Sequence, residues 1–348
     1  MSLDTLAKVD LHCCLDGAID PSLLGQWQMR AGGAATTGPA LSAAMALTKP
    51  EQVADRRAWL QPLLQSADDL IDASADLARR LIAEVVVHVE LVIDCDTLRC
   101  NGLPPCEVLR AVDAGCELAV TERDDVFLSW TLLVEVSATA TSSEALALVQ
   151  QVIADRPDRV AGFYFADDAK AASLDRIAAA VAAIKAADLR VVIAAGDRKD
   201  PDRVLAALNL GAHRLVGGTA GLGREDVMLQ LRARRVPVVS LPSLQMMAGM
   251  ARSWNSHPIK RMKDGSVMAV VGSGWPTWTQ SSLTGELEQV SRQLHWHLDD
   301  LRNLTTRAIE AGFMPPTLRF QLARTVEIWR HRPMVQALAK TGGDPFAM

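Results

Sequence analysis

Short apolar runs alternate with longer helical patterns along most of the chain. The runs are nearly continuous in valine, isoleucine, leucine and alanine, which is typical of parallel strands buried on both faces. Eight such runs occur, at residues 8–11, 85–93, 128–136, 159–165, 189–195, 213–218, 236–241 and 266–272. We therefore predict eight buried parallel strands.

Alanine-rich segments with helical periodicity lie between these runs. The clearest span residues 141–155, 169–187, 201–210 and 224–234. Asp200 and Pro201 indicate a helix start, with an N-cap side chain followed by proline in the first turn. Eight strands joined by helical crossovers predict a closed (β/α)8 TIM barrel, with an open doubly wound sheet as the alternative. No Gly-x-Gly-x-x-Gly sequence follows the first strand, which disfavours a dinucleotide-binding sheet.

Two longer helical segments flank the alternating part. Residues 21–81 form an insertion after the first strand, where a barrel can carry a lid over its active site. Within it, the small-residue stretch 31–38 is either a hinge or an ordinary surface loop. Residues 280–339 predict C-terminal helices that close the barrel. We expect residues 1–348 to form a single domain.

Composition and charge narrow the function classes. Of the 348 residues, 49% are hydrophobic, so a large buried core is expected. The net charge of −5 and the aromatic content of 4% disfavour nucleic acid and an anionic membrane as partners. The six cysteines lack Cys-x-x-Cys spacing, so reduced thiols are expected. Without a long apolar run or a secretory leader pattern, we expect a cytoplasmic protein with a small-molecule partner.

The first strand ends in residues that can carry chemistry. His12 and Cys14 are two positions apart, so both side chains should point into the barrel. His88 and Glu90 have the same spacing on the neighbouring strand, and the four together could hold zinc or iron. The alternative is that His88 and Glu90 only hydrogen-bond each other. Cys14 could also be a nucleophile paired with His12, or an ordinary packed thiol.

Several segments, in order, resemble motifs of the adenosine deaminase family. "VDLHCCLDGAI" is similar to the family's first strand, which ends His-x-His-Leu-Asp-Gly. "VVIAAGD", "HRLVGGTAG", "VPVVSLPSLQ" and "VVGSGWPT" fall where the family has His-Ala-Gly-Glu, Arg-Ile-Gly-His-Gly, Cys-Pro-x-Ser-Asn and Asn-Thr-Asp-Asp-Pro. "SSLTGELEQV" and "LDDLRNLTTRAIEAGF" are similar to its last helices. The resemblance extends from Lys8 to Arg324 and implies a TIM barrel of the metal-dependent hydrolase type.

The same resemblance implies where a zinc ion would be held. The family uses two histidines of the first strand, one of the fifth and an aspartate of the eighth. Here these positions are His12, Cys14, Ala194 and Gly274. A catalytic zinc needs about three protein ligands, and alanine and glycine have no ligating side chain. We therefore expect no zinc or iron cofactor unless the rearranged site on the first two strands exists.

Other positions of the family's site are also changed. The histidine that orients the attacking hydroxide corresponds to Gly217, and the proton-transferring glutamate corresponds to Asp197, a candidate catalytic carboxylate. The resemblance places ligand contacts at Asp16, Gly17, Asp167 and Trp275. Asp16 would meet a ribose hydroxyl, and Trp275 would offer a stacking face in place of a carboxylate.

Three functions remain open from the sequence. The leading hypothesis is a family member that has lost the zinc site and hydrolytic deamination, and that binds a nucleoside-like or other small ligand. The second is an active hydrolase or deaminase of a purine-like amine, with a rearranged metal site around His12, Cys14, His88 and Glu90. The third is a structural or interaction protein whose pocket is filled by side chains.

Overall fold

The computed structural model describes residues 3–34, 36–100, 102–166, 173–195 and 200–328. Two of the predicted site residues, Asp167 and Asp197, lie outside the described residues. The same holds for the beginning of the predicted helix 169–187 and for the predicted C-terminal segment beyond residue 328.

Eight parallel strands form the barrel, each hydrogen-bonded to the next in the order of the sequence. They are β1 (Lys8–Cys14), β2 (Val86–Ile93), β3 (Ser129–Val136), β4 (Val160–Phe165), β5 (Arg190–Ala195), β6 (Arg214–Gly217), β7 (Val238–Ser240) and β8 (Ala269–Val271). A bridge between Cys13 and Gly274 joins β1 to the segment after β8 and completes the ring. The predicted (β/α)8 TIM barrel is confirmed, and the open doubly wound sheet is wrong.

Strand boundaries differ from the apolar runs where a neighbouring strand decides them. β1 runs to Cys14 rather than Leu11, because Cys14 N donates to the Gly274 carbonyl at 2.7 Å and Gly274 N donates to His12 at 2.8 Å. β7 has three residues and begins only after Pro237, which has no backbone N–H for the ladder. β8 also has three residues.

Helices connect the strands and continue beyond the last one. Within the described residues they are α1 (Pro21–Arg30), α2 (Gly38–Met45), α3 (Val53–Leu60), α4 (Ala67–Ala83), α5 (Cys95–Leu98), α6 (Pro105–Thr121), α7 (Ser142–Ala154), α8 (Ala178–Ala186), α9 (Pro201–Leu210), α10 (Glu225–Arg234), α11 (Pro242–Met247), α12 (Pro258–Asp264), α13 (Pro276–Thr279), α14 (Leu283–Leu294), α15 (Leu298–Ala311) and α16 (Pro316–Ile328). As predicted, Asp200 caps α9, accepting from Asp202 N at 3.1 Å. None of the described helices is long and apolar enough to cross a membrane.

The insertion after β1 borders the barrel mouth. Its last helix, α4, packs closely on α6, where a Cβ at Gly115 would lie 2.3 Å from the Ile71 carbonyl oxygen. The loop after α2 is tied to the chain after β8, since Leu47 N donates to the Trp278 carbonyl at 2.8 Å. Helices α1 to α3 therefore lie near the carboxyl ends of the strands, where the active sites of TIM barrels are found.

A buried ion pair lies inside the barrel. Arg214 on β6 and Glu90 on β2 are fully buried, with Nη1–Oε2 and Nη2–Oε1 distances of 2.6 and 3.1 Å. Arg214 also donates to the carbonyls of Leu11 and Ala311, at 3.2 and 2.6 Å. The pair thereby connects β2, β6 and β1 with the end of α15.

Candidate functional site

His12 and Cys14 meet at the carboxyl end of β1. The Cys14 Sγ atom lies 3.7 Å from His12 Nε2. The His12 ring is fully buried, with its centroid 4.7 Å from the Tyr164 ring at an angle of 74° and 6.5 Å from the Trp275 ring at 85°. The structure thus brings His12 and Cys14 into contact beside two aromatic side chains.

Burial decides the protonation of this contact. Burial, together with the positive charge of Arg214, lowers the pKa of His12 to about 3. Burial raises the pKa of Cys14 well above its usual range, and the carboxylates of Asp16 and Glu135 act in the same direction. At neutral pH the contact joins a neutral imidazole to a neutral thiol. It is therefore not the thiolate–imidazolium pair that a nucleophilic cysteine uses.

Two of the positions where the resemblance implies zinc ligands have no ligating side chain. Ala194 is the second-last residue of β5 and Gly274 follows β8, where the resemblance implies a histidine and an aspartate. Within the described residues, no group of three or more His, Cys, Asp or Glu side chains is arranged to hold a metal ion. A catalytic zinc needs about three protein ligands around an open position. The described residues at the barrel mouth therefore do not fit the zinc ion that the resemblance implies.

His88 and Glu90 do not join His12 and Cys14. Both Glu90 oxygens accept from Arg214. Burial acts to raise the pKa of Glu90, but the charge of Arg214 and hydrogen bonding together outweigh burial and lower that pKa to about 2. His88 Nδ1 lies 2.9 Å from the Ser129 hydroxyl, and its Nε2 lies 3.9 Å from Glu90 Oε1. The rearranged metal site predicted around these residues is not present among the described side chains, because Glu90 pairs with a buried cation instead.

A second group of charged residues lies at the ends of β1, β2 and β3, and the sequence does not reveal it. We call it the guanidinium cluster: Arg57 of α3 with Asp16, Asp94 and Glu135. Arg57 Nε is 2.6 Å from Asp16 Oδ2, and its Nη1 is 3.0 Å from Asp94 Oδ2. Nη1 and Nη2 donate to the two Glu135 oxygens at 2.7 and 2.8 Å. The insertion thus positions a guanidinium, only 18% exposed, at the barrel mouth.

The guanidinium cluster contains more carboxylates than cations. Burial raises the pKa of Glu135 to about 7, although Arg57 opposes the shift, and burial likewise raises the pKa of Asp16. Burial acts to lower the pKa of Arg57. The three carboxylates together outweigh this effect and raise the pKa of Arg57 well above its usual range. Near neutral pH, Arg57 is therefore charged and Glu135 is partly protonated.

Gly17 and Trp275 form a close contact beside the cluster. A Cβ on Gly17 would lie 2.3 Å from Trp275 Cδ1, so this position accepts only glycine without movement of the indole. His12 Nδ1 and Trp275 Nε1 are both shielded from solvent, and neither has a hydrogen-bond partner among the described residues. Buried polar atoms normally have a partner. Among the described residues, these two atoms therefore have hydrogen-bonding capacity that is not used.

The chain matches a known protein family along most of its length. The model of the adenosine deaminase family matches residues 7–329. An adenine deaminase from Cupriavidus pinatubonensis is 24% identical over 330 residues, which cover 94% of this chain and 93% of that protein.

Solved structures share the barrel. An amidohydrolase from Burkholderia ambifaria with bound Zn superposes with a TM-score of 0.86 at 20% identity, covering 98% of this chain and 94% of its own. An Arabidopsis ADAL protein complexed with IMP has a TM-score of 0.81 at 17% identity, covering 93% and 97%. Because the family model spans residues 7–329 of the 348, this protein belongs to the adenosine deaminase family.

Proposed function

We propose that this family member binds a small, purine-like molecule at the barrel mouth and does not catalyse zinc-dependent hydrolytic deamination. The observation that carries the proposal is the set of strand ends. Ala194 and Gly274 stand where two further ligands would be required, and only His12 and Cys14 remain.

The chemistry of the remaining pair supports the loss of hydrolysis. Hydrolytic deamination needs an activated water, which a bound metal supplies by lowering the pKa of that water from about 15.7 to about 7. The His12 imidazole and the Cys14 thiol are two side chains, fewer than the about three protein ligands that a catalytic zinc needs. Gly217, at the position of the hydroxide-orienting histidine, has no side chain to act as a base.

Retained ligand binding is supported by the aromatic side chains around His12 at the carboxyl end of β1. Tyr164 and Trp275 contribute aromatic surface around His12. Aromatic rings favour stacked or edge-to-face contact with flat ligands. His12 Nδ1 can donate or accept a hydrogen bond, and Trp275 Nε1 can donate one. Neither atom has a hydrogen-bond partner among the described residues.

Metal analysis and an ammonia assay test the loss of catalysis. We expect purified protein, with or without added zinc or iron, to contain far less than one metal ion per chain. We also expect no ammonia release from adenine or adenosine, and the same metal content in His12→Ala. About one zinc or iron per chain that is lost in His12→Ala, together with ammonia release, would instead support the rearranged metalloenzyme.

Thermal unfolding tests retained binding. A ligand of the folded state raises stability by RT ln(1 + [L]/Kd). We expect at least one member of a panel of adenine, hypoxanthine, adenosine and inosine to raise the melting temperature in a concentration-dependent way. Trp275→Ala should weaken that shift. No shift with any member would favour the third hypothesis, a barrel whose mouth is filled by its own side chains.

A further inference from the structure

A small cavity lies at the amino-terminal end of β8, at the opposite end of the barrel from the candidate site. It has a volume of about 40 Å³. Three buried apolar residues form part of its lining: Ala269, which begins β8, with Trp296 and Leu304. The active sites of TIM barrels lie at the carboxyl ends of the strands. The cavity is therefore separate from the barrel mouth.

Helix α15 contributes most of the polar lining. Asp300, Asn303 and Arg307 line the cavity together with Leu304. They follow Asp300 by three, four and seven positions, which is the spacing of one helix face. Lys263 of α12 also lines the cavity. Two cations and one carboxylate thus border the apolar residues, so the lining has one net positive charge.

Lys263 and Asp300 form an ion pair within this lining. Lys263 Nζ lies 2.6 Å from Asp300 Oδ1 and 4.5 Å from the centre of the Trp296 ring. Asp300 Oδ2 accepts from His297 N at 3.0 Å. An ammonium group has three N–H donors, so Lys263 can donate to a further acceptor in the cavity.

Arg307 is the cation of the lining that has no anion. It is partly buried, and among the described residues it has no hydrogen-bond acceptor and no carboxylate partner. A guanidinium has five N–H donors, and shielding such a charge from water without an acceptor is unfavourable. We propose that the cavity binds a small oxyanion, a carboxylate or a phosphate group, through Arg307 with help from Lys263 and Asn303.

The size of the cavity limits the ligand. An ordered water needs about 10–15 Å³ of such space, so the volume of about 40 Å³ corresponds to about three waters. One carboxylate or phosphate group occupies a comparable space, and arginine binds either group with two parallel N–H···O bonds. The inference does not depend on the proposed function, because none of these residues belongs to the barrel mouth.

Titration calorimetry with acetate and with inorganic phosphate tests the inference on the unmodified protein. Sodium chloride keeps the ionic strength constant, so that screening does not change during the titration. We expect saturable binding of one anion per chain with a Kd of about 1 mM, within the range for a ligand of four or five non-hydrogen atoms. If only one anion binds, the result identifies the group as a carboxylate or a phosphate. Binding of neither anion below about 50 mM would overturn the inference.

Two variants with opposite expected effects assign the binding to this cavity. Arg307→Gln should weaken it at least about tenfold, because the charge-assisted hydrogen bonds are lost. Asp300→Asn should tighten it about threefold or more, because the negative charge beside Lys263 is removed. Arg292→Gln is the matched control, since it removes the same charge from an exposed position on α14, where Arg292 donates to Gln289.

The variants can also contradict the assignment. Equal affinities of Arg307→Gln and Arg292→Gln would overturn the inference. If Arg307→Gln fails to fold, Asp300→Asn decides, and unchanged or weaker anion binding by that variant would overturn it. These titrations use no purine-like molecule, so their failure and the failure of the proposed function are separate results.

Discussion

At the scale of single residues, Cys14 stands where reactivity would be expected, at a strand end and in contact with a histidine. All six cysteines are buried, and burial raises the pKa of Cys14 in particular. Thiolates, not thiols, react with disulfide reagents. We therefore predict that the native protein reacts negligibly with such a reagent at mildly alkaline pH, whereas all six thiols react after denaturation. Absorbance of the released chromophore counts them.

The same assay distinguishes the nucleophile hypothesis. Rapid labelling of one thiol per native chain, abolished by Cys14→Ser, would mean that Cys14 is an activated nucleophile. Cys116→Ser is the control, because Cys116 is also buried but lies in α6, away from His12.

Gly17 is a second residue whose environment gives a sharp expectation. Gly17→Ala would place a methyl group 2.3 to 2.7 Å from three atoms of Trp275. We predict a loss of about 1–3 kcal/mol in the free energy of unfolding, because overpacking forces neighbouring side chains to move. Urea denaturation followed by tryptophan fluorescence measures it.

The control for Gly17 is available in the same chain. Gly223 has nothing within 4 Å of a built Cβ, so Gly223→Ala should leave stability nearly unchanged. The double variant Gly17→Ala with Trp275→Ala should lose less free energy of unfolding than the two single variants added together, because the new methyl group then has no indole to contact. If the two losses are simply additive, the contact with Trp275 is not what destabilises Gly17→Ala.

Single residues also show what the sequence could reveal about the site. His12, Cys14 and Trp275 lie at predicted strand ends, and the family motifs point to each of them. Arg57 carries no such signal, because nothing local distinguishes it from Arg56 in "VADRRAWL". Its partners Asp16 and Glu135 lie 41 and 78 positions away, and only the folded insertion brings them together.

At the scale of elements, apolar runs locate the strands but not their ends. β1 extends past its apolar run because its last residues pair with the backbone around Gly274, a contact that the local sequence does not encode. Similarly, the spacing of His88 and Glu90 predicts a shared face but not the partner. Arg214, 124 positions away, takes the Glu90 carboxylate and turns a candidate metal ligand into half of an ion pair.

Helix α14 carries a buried acid that should make stability depend on pH. Glu286 is 1% exposed, and its Oε2 accepts from Ser243 N at 2.9 Å. Burial raises its pKa from 4.5 to about 7, with a smaller contribution from the charge of Asp10. The folded state therefore binds more protons between these values, so the free energy of unfolding should fall as pH rises from about 4.5 to about 7.

Glu286→Gln should remove this part of the pH dependence. Each unit of pKa difference corresponds to about 1.4 kcal/mol, so urea unfolding at several pH values can resolve the change in slope. Glu288→Gln is the control, because Glu288 is exposed on the same helix and should leave the slope as it is. An unchanged slope in Glu286→Gln would mean that Glu286 titrates alike in the folded and unfolded states.

At the scale of the whole molecule, two arginines connect parts of the fold that lie far apart in the chain. Arg57 ties the insertion to the ends of three strands, and Arg214 ties β6 to β2 and to the end of α15. Arg57 lies at the barrel mouth, whereas Arg214 begins β6 and lies inside the barrel. The ion pairs of these two arginines hold the barrel and its insertion together.

The Arg214–Glu90 pair gives the corresponding test. Glu90→Gln leaves a fully buried guanidinium without its anion, and removing one partner of such a pair costs about 3–5 kcal/mol. Arg235→Ala, which breaks a largely exposed pair with Glu310 at 3.4 Å, should cost at most about 1 kcal/mol. Urea denaturation of both variants measures the contrast. If Glu90 were instead a metal ligand, Glu90→Gln would lower the amount of bound metal and change the stability of the metal-free protein little.

Replacing both partners together, with Arg214→Met and Glu90→Leu, should lower the free energy of unfolding less than Glu90→Gln alone, because no uncompensated charge then remains inside the barrel.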